Sequence, residues 1–318
     1  MQQVTPMNKG TTPQHDKLNL RTARTLTEFL DLIEEIKPKI PGTLWFRGQS
    51  NASHRLTPGI LRNIVNTTDW MGKPIKDGQI QISSGGGVSG ISAERLLEAF
   101  KRQARPFLNH VPANDFEWMF IAQHHGLPTR LLDWSTNALV ALFFAVQHAK
   151  VEEGDGIEAC QFFLKNEFSE DGFSVFVIDP QKVNNEIYGV GGPVDMSADS
   201  DTWIDWVDPM SSNKSVDLPI CIYAPHMTTR IKAQSGAFTL HGRLIQPLDY
   251  YSDLRPHITK IFIPYTSTEA IRDSLVQVGM TESFIYPELD AIARDIVRTE
   301  TALFKHFMES RSHREEEA

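Results

Sequence analysis

Apolar residues recur at helical spacing through Leu26, Phe29, Leu30, Ile33 and Ile36, and Thr25 followed by Glu28 sets a capping box ahead of them. Pro38 and the pair Pro41–Gly42 stop that helix. The next stretch, Thr43–Arg47, is compact and aromatic and reads as a short strand ending at Gly48. From about Asn63 to Gly90 the chain turns polar and the period vanishes, which predicts a long loop. Ser92 then caps a helix whose stripe is Leu96, Leu97, Phe100, Ala104 and Leu108. Asn114 with Glu117 opens another, which breaks at Gly126–Leu127–Pro128. The helix predicted over about Asn137–Lys150 is apolar nearly all round, through Ala138, Leu139, Leu142, Phe143 and Ala145, and so belongs inside the domain.

Strand patterns come later: Ser174–Ile178, Ile220–Ala224, Ala237–Leu240 and Lys260–Pro264. Two helices follow, near Thr268–Val278 and Pro287–Met308. Helices early and strands late, without βαβ alternation, predict an α+β fold. The expectation is a single domain over residues 21–308, with N-terminal helices and a mixed or antiparallel sheet drawn largely from the C-terminal half. Residues 1–20 read as a flexible lead-in, 63–90 and 189–215 as loop insertions, and 309–318 as a charged, frayed tail.

Charge changes the picture more than composition does. The net charge is −9, which disfavours general binding to nucleic-acid backbones while leaving room for a local basic pocket around a small anion. The N-terminus has no apolar core of the signal-peptide kind. The longest apolar run, Ala138–Val146, is far short of the roughly 20 residues of a membrane span. Cys160 and Cys221 match no metal or redox spacing and sit in apolar runs, where reduced, buried thiols are expected. A cytoplasmic protein without a membrane segment or a metal site is the reading.

Candidate chemistry falls in three places. Arg47 ends a greasy strand beside Gly48 and Gln49, where a guanidinium either grips a phosphate or pairs with an internal acid such as Asp133. Arg130 and Asp133, three apart, either form a structural salt bridge in a turn or contribute to a ligand-binding site. Ser135, Thr136 and Asn137 precede the apolar helix and either cap it or help its N-terminus hold an anion. Further on, Gln234, Gly236 and Phe238 alternate at strand spacing and face one way. Arg230, Lys232 and Arg243 make that neighbourhood locally basic. His124 and His125 are adjacent, so they diverge and suit hydrogen bonding better than a shared metal. Gly85–Gly87 reads as linker, and Asp199, Asp201 and Asp205 lie in a loop too polar for a nuclease metal site.

Four segments together resemble the FRG domain proteins, named for a Phe-Arg-Gly triplet. They are Trp45–Gly48, Gln123–Asn137 running on to Ala145, Arg230–Phe238 and Ile285–Asp290. That likeness spans roughly residues 25–300 and suggests a bacterial stress or phage-defence context. A second, weaker likeness is to the arginine–serine–glutamate class of ADP-ribosyltransferases, in which an Arg binds NAD phosphates, a Ser/Thr segment shapes the nicotinamide pocket and a late Glu carries catalysis. The resemblance implies Arg47 in the first role and Ser135 or Thr136 in the second. Where the late Glu is wanted the chain has Gln234, so Glu288 is the substitute. The expectation is therefore a site for NAD or a related anionic nucleotide, with Arg47, Gln234 and Glu288 as candidate catalytic residues. Its alternative is a non-enzymatic module that senses a nucleotide or a protein partner.

Overall fold

The computed structural model describes residues 17–37, 43–62, 91–108, 111–196, 198, 200–209, 216–223 and 229–316. The predicted loop 63–90 lies outside them, as does most of the predicted lead-in. The described strands are β1 (Asn19–Thr22), β2 (Trp45–Gln49), β3 (Leu131–Ser135), β4 (Gly172–Ile178), β5 (Ile220–Tyr223), β6 (Gly236–Leu240) and β7 (Ile258–Pro264). They form one sheet in the order β1-β7-β4-β2-β3-β6-β5. β1 runs parallel to β7, and the other neighbours are antiparallel. The helices are α1 (Leu26–Ile36), α2 (Ala93–Ala104), α3 (Asp115–His124), α4 (Ala138–Val146), α5 (Ile157–Asn166), α6 (Pro180–Tyr188), α7 (Thr229–Ala233), α8 (Thr268–Gln277), α9 (Glu282–Ile285) and α10 (Leu289–Glu316). This is the α+β architecture that the order of patterns predicts.

Capping fixes where the helices start. Thr25 accepts from the Glu28 amide, Ser92 from the Arg95 amide and Asn114 from the Glu117 amide. The side chain of Glu28 turns back to accept from the Arg24 amide at 2.7 Å, completing the box. The apolar run of α4 has no polar face to show to water, so burial rather than propensity holds it. It lies with α1 and α8 over one face of the sheet, against Phe46, Val175, Val177, Ile261 and Ile263. The other half of that face packs Leu131, Phe238, Leu240 and Ile222 beneath α2 and α3. The opposite face sets Trp45, Trp134, Phe176 and Ala237 against α6 and the segment around Leu248 and Leu254.

Two apolar cores thus share one sheet face, and between them the sheet changes character. β2 pairs with β4 through five register pairs, and β3 pairs with β6 through five. β2 and β3 meet only at Phe46 opposite Ser135. The sheet is continuous but its central seam is nearly unzipped, and α3 and α4 stand on either side of the opening.

Several expectations are corrected here. The lead-in gives way to β1 at Asn19, held by parallel pairing to β7. β2 runs through Gly48 to Gln49 rather than stopping. Asp133 lies in a strand and not in a turn; its neighbours Leu131, Leu132 and Trp134 are too bulky and apolar for a turn. The described part of 189–215 is not a plain surface loop, since Val194, Met196 and Trp206 are buried in the core beneath α2 and α3. α10 continues through Glu316, well past the predicted start of a frayed tail. Cys160 and Cys221 are both buried and not disulfide-bonded, as expected.

Candidate functional site

The opening at the seam is a cleft of about 500 Å³, within the ordinary range for a small-molecule site. Its floor comes from side chains of one sheet face, including Phe46 and Gly48 of β2, Asp133 and Ser135 of β3, and Gly236 and Phe238 of β6. One wall is the C-terminal turn of α3 with Phe120, Gln123 and His124. The other is α4 and the residues after it, with Ala141, Phe144 and His148. Ile231 and Gln234, on and after α7, close one end.

Arg47 is the centre of the seam. By strand alternation it leaves β2 on the side of Trp45, yet its Nη1 donates to the backbone carbonyl of Asp133 at 2.6 Å and stands 3.6 Å from Asp133 Oδ2. The guanidinium therefore fills the gap where a backbone ladder would otherwise run. Its Nε is buried with no hydrogen-bond partner. Burial lowers its pKa, nearby Arg62 adds to the lowering, and Asp133 only partly opposes it. An arginine stays charged at neutral pH, so Arg47 is a largely desolvated cation answered by one carboxylate.

Asp133 faces Arg47 from β3 and is half-exposed in the cleft. Among the described residues lining the cleft it is the one carboxylate. Gln123 Nε2 donates to both its oxygens, each at 3.1 Å. Thr129 Oγ1 in turn donates to Gln123 Oε1 at 2.6 Å and accepts from the Leu131 amide at 3.0 Å.

The Gly of the Phe-Arg-Gly triplet serves packing. A Cβ on Gly48 would collide with the carbonyl oxygen of Ala141 and lie 2.6 Å from the amide nitrogen of Ala145, both backbone atoms of α4. Only glycine lets this helix lie on the strand. Gly236 is less crowded, its Cβ meeting the Ile231 side chain at 3.2 Å.

The remaining expected site residues divide. Ser135 lines the cleft, but its hydroxyl donates to the Gln234 carbonyl at 2.7 Å and accepts from the Asn137 amide, so it ties β3 to the cleft's end. Asn137 is the helix cap, accepting from the Leu139 and Val140 amides, which removes those donors from any anion. Thr136 is exposed and outside the cleft lining. Gln49, Gln234, Gly236 and Phe238 line it; Gly236 and Phe238 do so from β6, whereas Gln234 lies in the turn between α7 and β6 rather than in a strand. The side chain of Arg230 and the residue Asp199 lie outside what is described.

Two expectations fail. Arg130 does not bridge to Asp133. Its guanidinium is buried and donates to the carbonyls of His241, Trp206 and Val207, with Glu94 at 3.9 Å. Arg130 is the residue before β3, and its guanidinium turns toward α2 and the Trp206 segment, while Asp133, inside the strand, faces the cleft. Glu288 is exposed at the start of α10 and is not part of the cleft lining. Conversely, Gln123, Arg62, Phe120, Phe144 and His148 were not expected at a site. A polar residue in the last turn of the otherwise buried α3 was the signal for Gln123.

Residues 42–154 match the family model of the FRG domain. The chain carries an FRG domain. No curated protein and no solved structure matches it. The FRG segment supplies β2, β3, α2, α3 and α4, hence Arg47, Gln123, Asp133 and Ser135. It does not close the sheet by itself, because β2 and β3 find their full partners in β4 and β6 outside it. Gln234, Gly236 and Phe238 likewise reach the cleft from beyond the FRG segment. Among the described residues no helix is long and apolar enough to cross a membrane, and no group of three His, Cys, Asp or Glu could hold a metal ion.

Proposed function

We propose that the FRG cleft binds NAD or a related nucleotide and breaks its nicotinamide–ribose bond, releasing ADP-ribose to water or to an acceptor. The observation that carries this reading is the meeting of Arg47, Ser135 and a carboxylate in one cleft with aromatic walls. A phosphate would add to the single carboxylate, Asp133, that answers Arg47, with the exposed Arg62 at the rim adding to the attraction. A planar base or nicotinamide ring suits the apolar wall, where Phe120 and Phe238 lie with ring centroids 5.0 Å apart. Gln234 stands at the far end as a hydrogen-bonding group for a ribose hydroxyl. The acceptor, the cellular target and a role in stress or phage defence belong to the family resemblance alone.

A binding-only module is the second reading. The observation in its favour is that Asp133 is already engaged by Arg47 and Gln123. Nicotinamide release from NAD by the purified protein, with and without cell lysate, separates the two. Wild type is compared with Arg47→Ala, checked for folding by circular dichroism, and with the surface change Arg62→Ala. The enzyme reading expects release that Arg47→Ala abolishes and Arg62→Ala weakens. Binding of NAD without release leaves the sensor, and neither binding nor release sinks the nucleotide assignment.

A further inference from the structure

We infer that Asp133 is the catalytic carboxylate of the cleft, and that Gln123 and Thr129 are the positioning residues that hold it. The inference rests on the reading of the site as one that breaks a glycosidic bond. Its basis is a relay whose direction is fixed by elementary hydrogen-bond accounting. The Thr129 hydroxyl accepts from the Leu131 amide, so its own proton is available to donate, and it donates to Gln123 Oε1. With its oxygen committed, the Gln123 amide presents Nε2 to Asp133, at 3.1 Å from each carboxylate oxygen. An amide turned the other way would set oxygen against oxygen. Thr129 is buried, Gln123 is half-buried, and Asp133 alone of the three is exposed, toward the cleft. A carboxylate built only for the Arg47 ion pair would need no second anchor from another helix.

The chemistry asks for such a group. When the C1′–N bond of NAD breaks, its electron pair moves onto the ring nitrogen and neutral nicotinamide leaves. The ribosyl cation left behind is stabilised by a fixed anion close by. A water oxygen then bonds to C1′ and passes its proton to the Asp133 carboxylate and on to solvent, so NAD and water yield nicotinamide, ADP-ribose and a proton. This assigns to Asp133 the role for which Glu288, outside the cleft, is misplaced.

The test measures NAD binding by calorimetry and nicotinamide release on the full chain. Asp133→Asn keeps the shape of the side chain and is expected to bind NAD as tightly as wild type or tighter, while release falls about 100-fold or more. Thr129→Val is expected to lower kcat about 10-fold per folded molecule at unchanged KM, and Thr129→Ser to restore it, a split that a purely structural threonine would not produce. Active wild type with unimpaired Asp133→Asn overturns the role of Asp133 and leaves the proposed function standing. Wild type that neither binds nor cleaves NAD removes both together.

Discussion

Arg130 is buried and Arg47 nearly so, one just before and one on the central strands of the same sheet, and their surroundings differ. Around Arg130 three backbone carbonyls converge, with Glu94 nearby, and the segment holding Trp206 is stitched to the strand end at His241. Around Arg47 a single carbonyl and one half-exposed carboxylate answer the charge, and the rest of the space is a cleft. Burial lowers both pKa values, that of Arg130 to about 10. A buried arginine is thus not in itself a sign of function. Each leaves its Nε without a hydrogen-bond partner; what separates the two is that three carbonyls answer the terminal nitrogens of Arg130 and one answers those of Arg47.

The largest test breaks the seam itself. Gly48→Ala puts a methyl group onto the backbone of α4, which cannot yield as a flexible side chain would. It is expected to cost about 3 kcal/mol or more, at the upper end of overpacking, and to show in urea unfolding as a lowered midpoint. An unchanged midpoint would mean that α4 does not need its present seat, and the cleft wall with it.

Next in size is the exchange of the two arginines for methionine, which keeps most of their apolar length. Arg130→Met strands three buried carbonyls and is expected to destabilise by about 3 kcal/mol without changing NAD affinity. Arg47→Met strands one and is expected to cost about 1 kcal/mol while removing binding. Unfolding midpoints and calorimetry on the same two proteins decide it. The reverse pattern would make Arg130 the ligand residue.

The sequence announced the arginines but not this difference. Local signals were enough for helix starts, since Thr25, Ser92, Asn114 and Asn137 each cap within three residues of themselves. They were enough as well for the buried strands β4 and β7, whose apolar runs need no distant partner to be read. Arg130–Asp133 was read as a turn because Arg and Asp at its ends suggest local pairing. Its strand character depends on β6, about a hundred residues away. In the same way Asp133 could be named as polar, but its anchor Gln123 sits on another helix and its partner Arg47 on another strand. Spacing along a chain does not show which partner folding brings across. Glu288 failed for that reason: a late acid in sequence is not a near one in space.

The smallest effect sharpens the comparison, because one residue feels both arginines. His241 is fully buried, and burial first, then Arg130, then Arg47 lower its pKa from 6.5 to about 3. The unfolded chain takes up this proton below pH about 6.5, while the folded chain refuses it down to about 3. Stability is therefore fully present above that window and declines as pH falls through it. Replacing Arg130 by Met removes the larger of the two repelling charges, so the folded imidazole accepts its proton more readily. The loss of stability between pH 7 and pH 4, each read against the variant's own value at pH 7, is then smaller than in wild type. Arg47→Met is expected to shrink it less, in the order in which the two charges act. His241→Leu removes this part of the acid limb altogether, and urea midpoints at pH 7, 5.5 and 4 measure all four proteins. An equal acid limb in wild type and His241→Leu would mean that His241 does not report the field between the two arginines.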